Sequence, residues 1–490
     1  MKTLLLATAL ILPVAAHAQT APLPDAQRSA IVADVDGRAA TLASTAKTIW
    51  DFSEVGYQEA KSSALLQSEL KKGGFTVKAG VADIPTAFVA SFRNGAGPVI
   101  AILAEYDALP GTAQTTDPTR SQIAGKAAGH ACGHNLFGAA SITAALAIKD
   151  WMIANKVAGD LRVYGTPAEE GGSGKVYMVR AGLFDDVSAT LHWHPGSANV
   201  VSVGPSRANI SGKFRFKGLS AHASASPERG RSALDGIEIM NVATNMMREH
   251  VPSSIRIHYV ITNGGEAPNV VPDFAESYYY VRDIDPALVK SVWARVVKAS
   301  EGAALATETS VTNEITGGVY SMLANETLAQ VMDRNLNAVG GVAYSPQETA
   351  WATELQKSLE VKRPLATAGQ VLPLSRGGDG GGSTDVSDIS WVSPTIGLST
   401  ATWVPGTPAH SWQAVAASGM TIGAKGGVVA AKTLALTAAE LFRSPDTLAA
   451  AKAELLKARG PGFKYEAMLG NRKPALDYRK PMAAGATTSE

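Results

Sequence analysis

The chain has 490 residues, and 44 Lys and Arg against 43 Asp and Glu leave a formal net charge of +1. With no net field of either sign, nothing draws in a polyanion, and a nucleic-acid partner is set aside. At 46% hydrophobic and 18% charged the composition supports cores for roughly two or three domains, and a single cysteine excludes a disulfide framework within the chain.

The first residues read as a signal and not as fold. Lys2 supplies a positive charge, Leu4 to Ala16 is an almost unbroken apolar run, and Ala16-His17-Ala18 has the small-x-small form of a cleavage site. The run is shorter than the roughly 20 residues of a spanning helix. No later segment reaches that length without Gly, Pro or charge. We therefore expect residues 1–18 to be removed, a periplasmic or secreted product, and no stable membrane insertion.

Apolar positions at helical period predict helices over Ala39 to Phe52 and Lys61 to Lys72, with Gly73-Gly74 as a stop. Short apolar runs predict strands at Phe88 to Phe92 and Pro98 to Ala104, the latter leading into Glu105-Tyr106-Asp107. Leu136 to Ile153 is Ala-rich and helical. Leu161 to Tyr164 reads as a strand ending before Pro167-Ala168-Glu169-Glu170, and Val187 to Leu191 as one ending before His192-Trp193-His194-Pro195. Strands alternating with helices imply a mostly parallel sheet sandwiched by helices, an α/β catalytic domain.

From about Pro205 the rhythm changes to a strand at Ile210 to Phe216, a helix at Arg231 to His250, strands at Ser254 to Ile261 and Ala275 to Val281, a helix at Pro286 to Leu305 and a strand at Thr307 to Ile315. That order, β-α-β-β-α-β, is ferredoxin-like and reads as an insertion. The expected organisation is a catalytic domain in two parts, 19–204 and 319–460, an inserted domain at 205–318 and an extended tail at 461–490. Within the second part, a helix at Asn325 to Ala338, a Gly-rich stretch at Gly377 to Gly382, a strand at Pro394 to Leu398 and a helix at Gly419 to Phe442 are expected. The Gly-rich stretch lacks Gly-Lys-Ser/Thr and is no phosphate loop.

Histidines do not scatter. His130, Cys132 and His134 share Gly129-His130-Ala131-Cys132-Gly133-His134, His192 and His194 flank Trp193, and His410 sits in Gly406-Thr407-Pro408-Ala409-His410. With Glu169-Glu170 they offer the soft, borderline and hard donors that zinc or a similar divalent ion accepts. Asp107, the glutamate pair and the His192/His194 pair each fall past the carboxyl end of an expected parallel strand, the edge where α/β sheets form their sites. A lone histidine is ordinarily solvated or hydrogen-bonded, and His250 and His258 read so. A thiolate in an oxidising compartment is better protected as a ligand than as a naked nucleophile. One of two adjacent carboxylates can ligate while the other carries protons.

At these motifs, joined by Ser220-Ala221-His222-Ala223 and Asn269-Val270-Val271-Pro272, the chain resembles the aminoacylase and carboxypeptidase G superfamily of metallopeptidases. Within it the likeness is to the B-type branch of the aminobenzoyl-glutamate hydrolases and to related amidohydrolases, the plant auxin-conjugate hydrolases among them. The resemblance spans nearly the whole mature chain. It implies a two-domain subunit, two divalent cations (zinc or manganese), a homodimer through the inserted lid, and hydrolysis of the amide between an acyl group and an amino acid. It assigns Cys132, His134, Glu170, His194 and His410 as metal ligands, Glu169 as general base and Asp107 as the aspartate beside the ligands. His222 becomes the lid histidine that reaches a substrate carbonyl, across the dimer or within the subunit, and Asn269 a substrate-binding neighbour. For the third motif, a His three residues before Pro selects His192, whereas ungapped counting from Val187 selects His194; strand alternation sends both to one side, and we take His194.

The implied mechanism is attack by water activated between the two ions, with Glu169 taking its proton and returning it to the departing amine. A dipeptidase or carboxypeptidase of the same superfamily is the alternative. A Cys132 hydrolase and a non-catalytic exported protein that captures metal or conjugates are rivals of a different kind. Arg207, Arg231 and Arg376 are offered as carboxylate grips, and a second, separately encoded subunit stays open.

Overall fold

A computed structural model describes residues 22–378 and 381–479. The expected signal segment, the middle of the Gly-rich stretch and the end of the tail lie outside them. The larger sheet has seven strands in the order Thr76–Ala79, Phe88–Arg93, Asp160–Gly165, Val99–Ala104, Ala189–Gly196, Thr395–Ala401 and Val200–Val201. The four strands from Asp160–Gly165 to Thr395–Ala401 run parallel, and the flanking strands pair antiparallel. Val99–Ala104, in the middle of the sheet, is a continuous apolar run, as a strand buried on both faces requires.

Helices Ala39–Phe52, His134–Ala154 and Thr421–Phe442 pack together, and the last two also pack on the sheet. His134–Ala154 is long and apolar enough to cross a membrane, but most of its residues are buried inside the protein, which makes it a core helix. Its small residues let neighbours approach closely. At the far side of the core a Cβ on Gly426 would sit 2.9 Å from the Ala401 carbonyl and 2.6 Å from the Thr402 methyl, so Thr421–Phe442 lies directly on the end of Thr395–Ala401.

The second sheet is antiparallel, ordered Arg256–Asn263, Phe274–Asp283, Ala208–Lys217, Ser310–Val319, with helices Ala233–Met247 and Pro286–Ala306 packed on it. Its core joins Phe214, Phe216, Tyr279 and Trp293. The molecule is thus a mixed α/β protein with a mostly parallel central sheet and a separate antiparallel sheet.

Three differences from the sequence reading matter. The strand expected to stop at Leu191 continues to Gly196, because parallel pairing with Thr395–Ala401 persists to its end, so His192 and His194 lie within the strand and not past it. Helices Asp25–Gly37, Gly174–Arg180, Pro346–Gln356 and Pro445–Arg459 carry weak apolar periodicity: the first buries only Ile31 and Val35. Pro346–Gln356 nonetheless has a legible start, since Ser345 and Glu348 form a capping box. The tail after Gly460 has neither helix nor strand up to Arg479, yet it is hydrogen-bonded back onto the protein: Tyr465 Oη donates to Asp388 at 2.6 Å and Gln58 Nε2 to the Leu476 carbonyl at 2.7 Å.

Gly426→Ala is expected to lower stability by about 1–3 kcal/mol, because the contacted carbonyl belongs to backbone that cannot move aside. Urea unfolding monitored by far-UV circular dichroism measures it.

Candidate active site

Asp107 follows the strand Val99–Ala104 by three residues and is wholly buried. Its Oδ1 accepts from His134 Nδ1 at 2.9 Å and its Oδ2 from the Glu170 N–H at 2.9 Å. Burial disfavours its charge, but His134 and these hydrogen bonds outweigh that and hold the carboxyl below its ordinary range. His134 is thereby oriented with Nε2 inward, the arrangement in which a carboxylate fixes the tautomer of a metal-binding imidazole. That Nε2 lies 3.1 Å from Glu105 Oε2 without hydrogen-bond alignment, so both atoms are buried and unpartnered.

Glu169 and Glu170 occupy a short turn after Asp160–Gly165, bracketed by Ala168 and Ser173, both at φ 58°. Left-handed backbone at non-glycine residues costs on the order of 1–3 kcal/mol and persists only where the surroundings enforce it. Glu59 does so at one end, accepting the Ala168 N–H at 2.9 Å while Thr86 donates to its other oxygen at 3.0 Å. Burial, helped by the Asp107 charge, pushes the Glu59 carboxyl up to about 8.

Cys132, on the turn before helix His134–Ala154, is buried, with Sγ 3.4 Å from His194 Nε2. Burial raises its thiol well above the ordinary range, although His134 draws it down. His194 Nδ1 donates to the Pro195 carbonyl at 2.7 Å, which turns Nε2 and its lone pair toward Cys132. His410, at φ 59°, has its loop tied down by a backbone hydrogen bond to Ala131 at 3.0 Å, and its Nε2 stands 3.3 Å from Glu170 Oε1. Burial pushes Glu170 up, but the contact with His410 and the charge on His134 hold it below the carboxylate norm.

Three overlapping groups result: Cys132, His134 and His194; Cys132, Glu170 and His410; His134, Glu169 and Glu170. In each, one donor atom per residue lies within 4.8 Å of the others. Orphaned Glu170 Oε1 and His134 Nε2 face this same centre. Thiolate, imidazole and carboxylate donors converging with unsatisfied buried atoms fit a divalent cation.

Beneath the turn lies a charged network that the motifs do not reveal. Lys175 is fully buried, its Nζ 2.7 Å from both Glu105 Oε1 and Asp385 Oδ1. Burial works against its charge, but Asp385 and Glu105 raise its pKa. Burial and then the Glu170, Glu105 and Asp385 carboxylates push Glu169 well above the ordinary range. The only advance signal for Glu105 is a charge directly following an apolar strand.

Other candidates lie elsewhere. His192 pairs in register with Gly397, whose missing Cβ makes room for its ring, and belongs to none of the three donor groups. His130 is buried with Nε2 3.1 Å from the Ile49 carbonyl; burial and His134 push it down to about 3. His222 and Asn269 sit on two adjacent exposed loops of the antiparallel-sheet unit, joined by the Ala223 N–H to the Asn269 carbonyl at 3.0 Å. Arg231 and Arg376 are engaged by Glu308 and Glu326, both at 2.6 Å, and the Arg207 N–H bonds the Gly382 carbonyl at 2.8 Å.

Residues 101–367 match the model of peptidase family M20/M25/M40. The chain belongs to that family. This M20-family protein is 40% identical over 424 residues to the B-type chain of the p-aminobenzoyl-glutamate hydrolase of Escherichia coli K12, covering 81% of this chain and 88% of that one. It is 30% identical over 319 residues to a mouse Xaa-Arg dipeptidase, covering 62% and 70%. Its fold matches a Bacillus subtilis structure described as a dinuclear metal-binding peptidase of the M20 family, with TM-score 0.57 and 19% identity over 83% of this chain and 99% of that one. The M20-family protein is an enzyme, a metal-dependent hydrolase acting on amide C–N bonds.

Lys175→Met strands two buried carboxylates and is expected to cost about 3–5 kcal/mol at neutral pH. The loss should shrink as pH falls, because protonation removes the uncompensated charges. Chemical unfolding at pH 5 and pH 8 reads both effects.

Proposed function

We propose that this M20-family hydrolase cleaves the amide of N-acyl or N-aroyl amino acids, aminobenzoyl-glutamate-like compounds among them. The observation that carries the reading is that Cys132 belongs to two three-donor groups at once, one with His134 and His194 and one with Glu170 and His410. Together these two groups would hold two divalent cations, with Cys132 common to both donor sets. Thiolate and imidazole donors favour zinc over manganese.

Divalent ions in such a site polarise a carbonyl and lower the pKa of water from 15.7 to about 7. The remaining work falls to the chain. Glu169, whose carboxyl has no hydrogen-bond partner among the described residues, takes the proton from the attacking water. It then delivers that proton to the amine nitrogen as the C–N bond breaks, leaving a free carboxylate and a free amine. Its environment of burial and neighbouring carboxylates suits a group that must hold a proton transiently.

His222 and Asn269 are exposed on the lid and absent from the walls of the cavity beside Glu169, which supports a role in the site of a neighbouring protomer. A homodimer through the lid is supported by the edge strand Arg256–Asn263, with Val260 and Ile261 exposed, and by the exposed Ile239, Val242 and Met246. The Escherichia coli relative is named as one subunit of its hydrolase, which supports a second, separately encoded chain. Export to the periplasm or beyond, after cleavage at Ala18, completes the reading. The alternative, a dipeptidase of the same family, draws on the mouse relative.

Turnover of a panel of N-aroyl amino acids, N-acyl amino acids and dipeptides by the zinc-loaded protein tests the substrate class; faster cleavage of dipeptides throughout selects the alternative. Glu169→Gln is expected to lower kcat by about 10²- to 10⁴-fold with full metal content, and near-normal turnover refutes its role. For Cys132→Ser the expected outcome is loss of metal by elemental analysis together with activity; wild-type stoichiometry in that variant removes Cys132 from the ligand set.

A further inference from the structure

A cavity of about 360 Å³ opens beside the Glu169–Glu170 turn. Its walls come from the turn and Ser173, from the lid strand through Tyr278, Tyr280 and Arg282, and from the C-terminal segment through Tyr478 and Arg479. That segment lies beyond the family match, which ends at 367, and beyond every candidate catalytic group.

After Gly460 the chain runs back across the protein to this place. Arg180 Nη1 donates to the Gly470 and Arg472 carbonyls at 2.7 and 2.8 Å, and Tyr177 Oη to the Lys473 carbonyl at 3.3 Å. At its end Tyr478 Oη and Arg479 Nη2 both donate to the Glu170 carbonyl, at 2.9 and 2.8 Å. The seat is built into the opposite end of the sequence. Tyr57 meets the Tyr478 ring edge-on at 5.6 Å and donates to the Gly172 carbonyl at 2.7 Å, and a Cβ on Gly56 would lie 2.2 Å from Tyr478 Oη.

The cavity wall carries three carboxylates, Glu169, Glu170 and Asp385, and two guanidinium groups, Arg282 and Arg479. Arg479 and Arg282 each have a buried Nε without a hydrogen-bond partner, and among the described residues neither guanidinium has a carboxylate within ion-pair distance. Of the carboxylates on the same wall, Asp385 pairs with Lys175 and Glu170 contacts His410, while Glu169 is the proton carrier of the reading above. Both guanidinium groups lie over tyrosine rings, Arg282 at 4.9 Å from the Tyr280 centroid and Arg479 at 5.0 Å from that of Tyr478. Planar, partly desolvated guanidinium groups with unused N–H donors are suited to receive a carboxylate.

We propose that the C-terminal segment forms a wall of the substrate site, and that Arg479, with Arg282 on the lid side, grips a carboxylate of the amino-acid half of the substrate and determines specificity for it. The proposal rests on the amide-hydrolase reading above. The leaving amino acid carries its carboxylate a few bonds from the amide nitrogen, and that nitrogen is where Glu169, on the rim of the same cavity, delivers its proton. An acidic leaving half is therefore drawn to the side of the centre where Arg479 lies.

The test uses the zinc-loaded full chain in a Glu169→Gln background, so that ligands are not consumed, and measures calorimetric affinity for N-benzoylglutamate, its α-carboxamide and its γ-carboxamide. The expected result is at least tenfold tighter binding of the diacid than of one amide, abolition of that preference by Arg479→Met, and partial retention by Arg479→Lys. Which amide is disfavoured identifies the carboxylate held. Arg479→Lys carries the test if the Met variant fails to fold, since a charge that merely props the Glu170 carbonyl predicts equal weakening of all three ligands. Absence of the preference in the parent, its survival in the Met variant, or equal weakening overturns the proposal. Turnover by the wild-type protein is read separately: a preserved carboxylate preference without hydrolysis of any N-acyl amino acid sinks the amide-hydrolase reading and leaves the grip standing, and hydrolysis without the preference does the reverse.

Discussion

Everything at the candidate centre depends on charges taken out of water together. Asp107, His134, Glu105, Lys175 and Asp385 are all buried, and each is tolerable only because the next one neutralises or hydrogen-bonds it. A single charge in that position would cost several kcal/mol. The chain of contacts also sets directions. Asp107 holds His134 by one oxygen and the Glu170 N–H by the other, so one carboxylate aligns a donor ring and the turn that carries the glutamate pair.

The parallel sheet makes this arrangement possible by delivering the groups on rigid supports. Asp107 and the glutamate turn hang from the ends of adjacent strands, His194 projects from the last residues of the next strand, and Cys132 and His134 sit where a long core helix begins. Donors on four separate pieces of framework cannot drift independently, which is the condition for a site that holds geometry without a continuous loop to define it. The lid contributes a different property. Its sheet has its own core and an exposed apolar edge, and its His222 and Asn269 are exposed and stand outside the three donor groups.

Much of this was legible in one dimension. Residue types with metal-binding chemistry clustered at the ends of apolar runs, and the β-α-β-β-α-β rhythm of the insertion emerged with element ends displaced by only a few residues, as at Ser310–Val319. His192 and His194 illustrate the limit. Both face the same side of one strand, so local pattern does not separate them; parallel pairing with Thr395–Ala401 places His192 over Gly397 and leaves His194 at the cluster. The arginines show a second limit. Arg231 and Arg376 are engaged by surface carboxylates, whereas Arg282 and Arg479 line the cavity although their sequence surroundings look like ordinary strand and ordinary tail.

The amino-acid order by itself determined the class of chemistry, because donor type is a property of the side chain and strand-end placement follows from short-range periodicity. Only the tertiary structure decided which donors share Cys132, what neutralises Lys175, and that the last described residues close over a turn made about three hundred positions earlier. Those are long-range pairings, set by how the sheet and its helices fold the chain back on itself, and local pattern carries no trace of them.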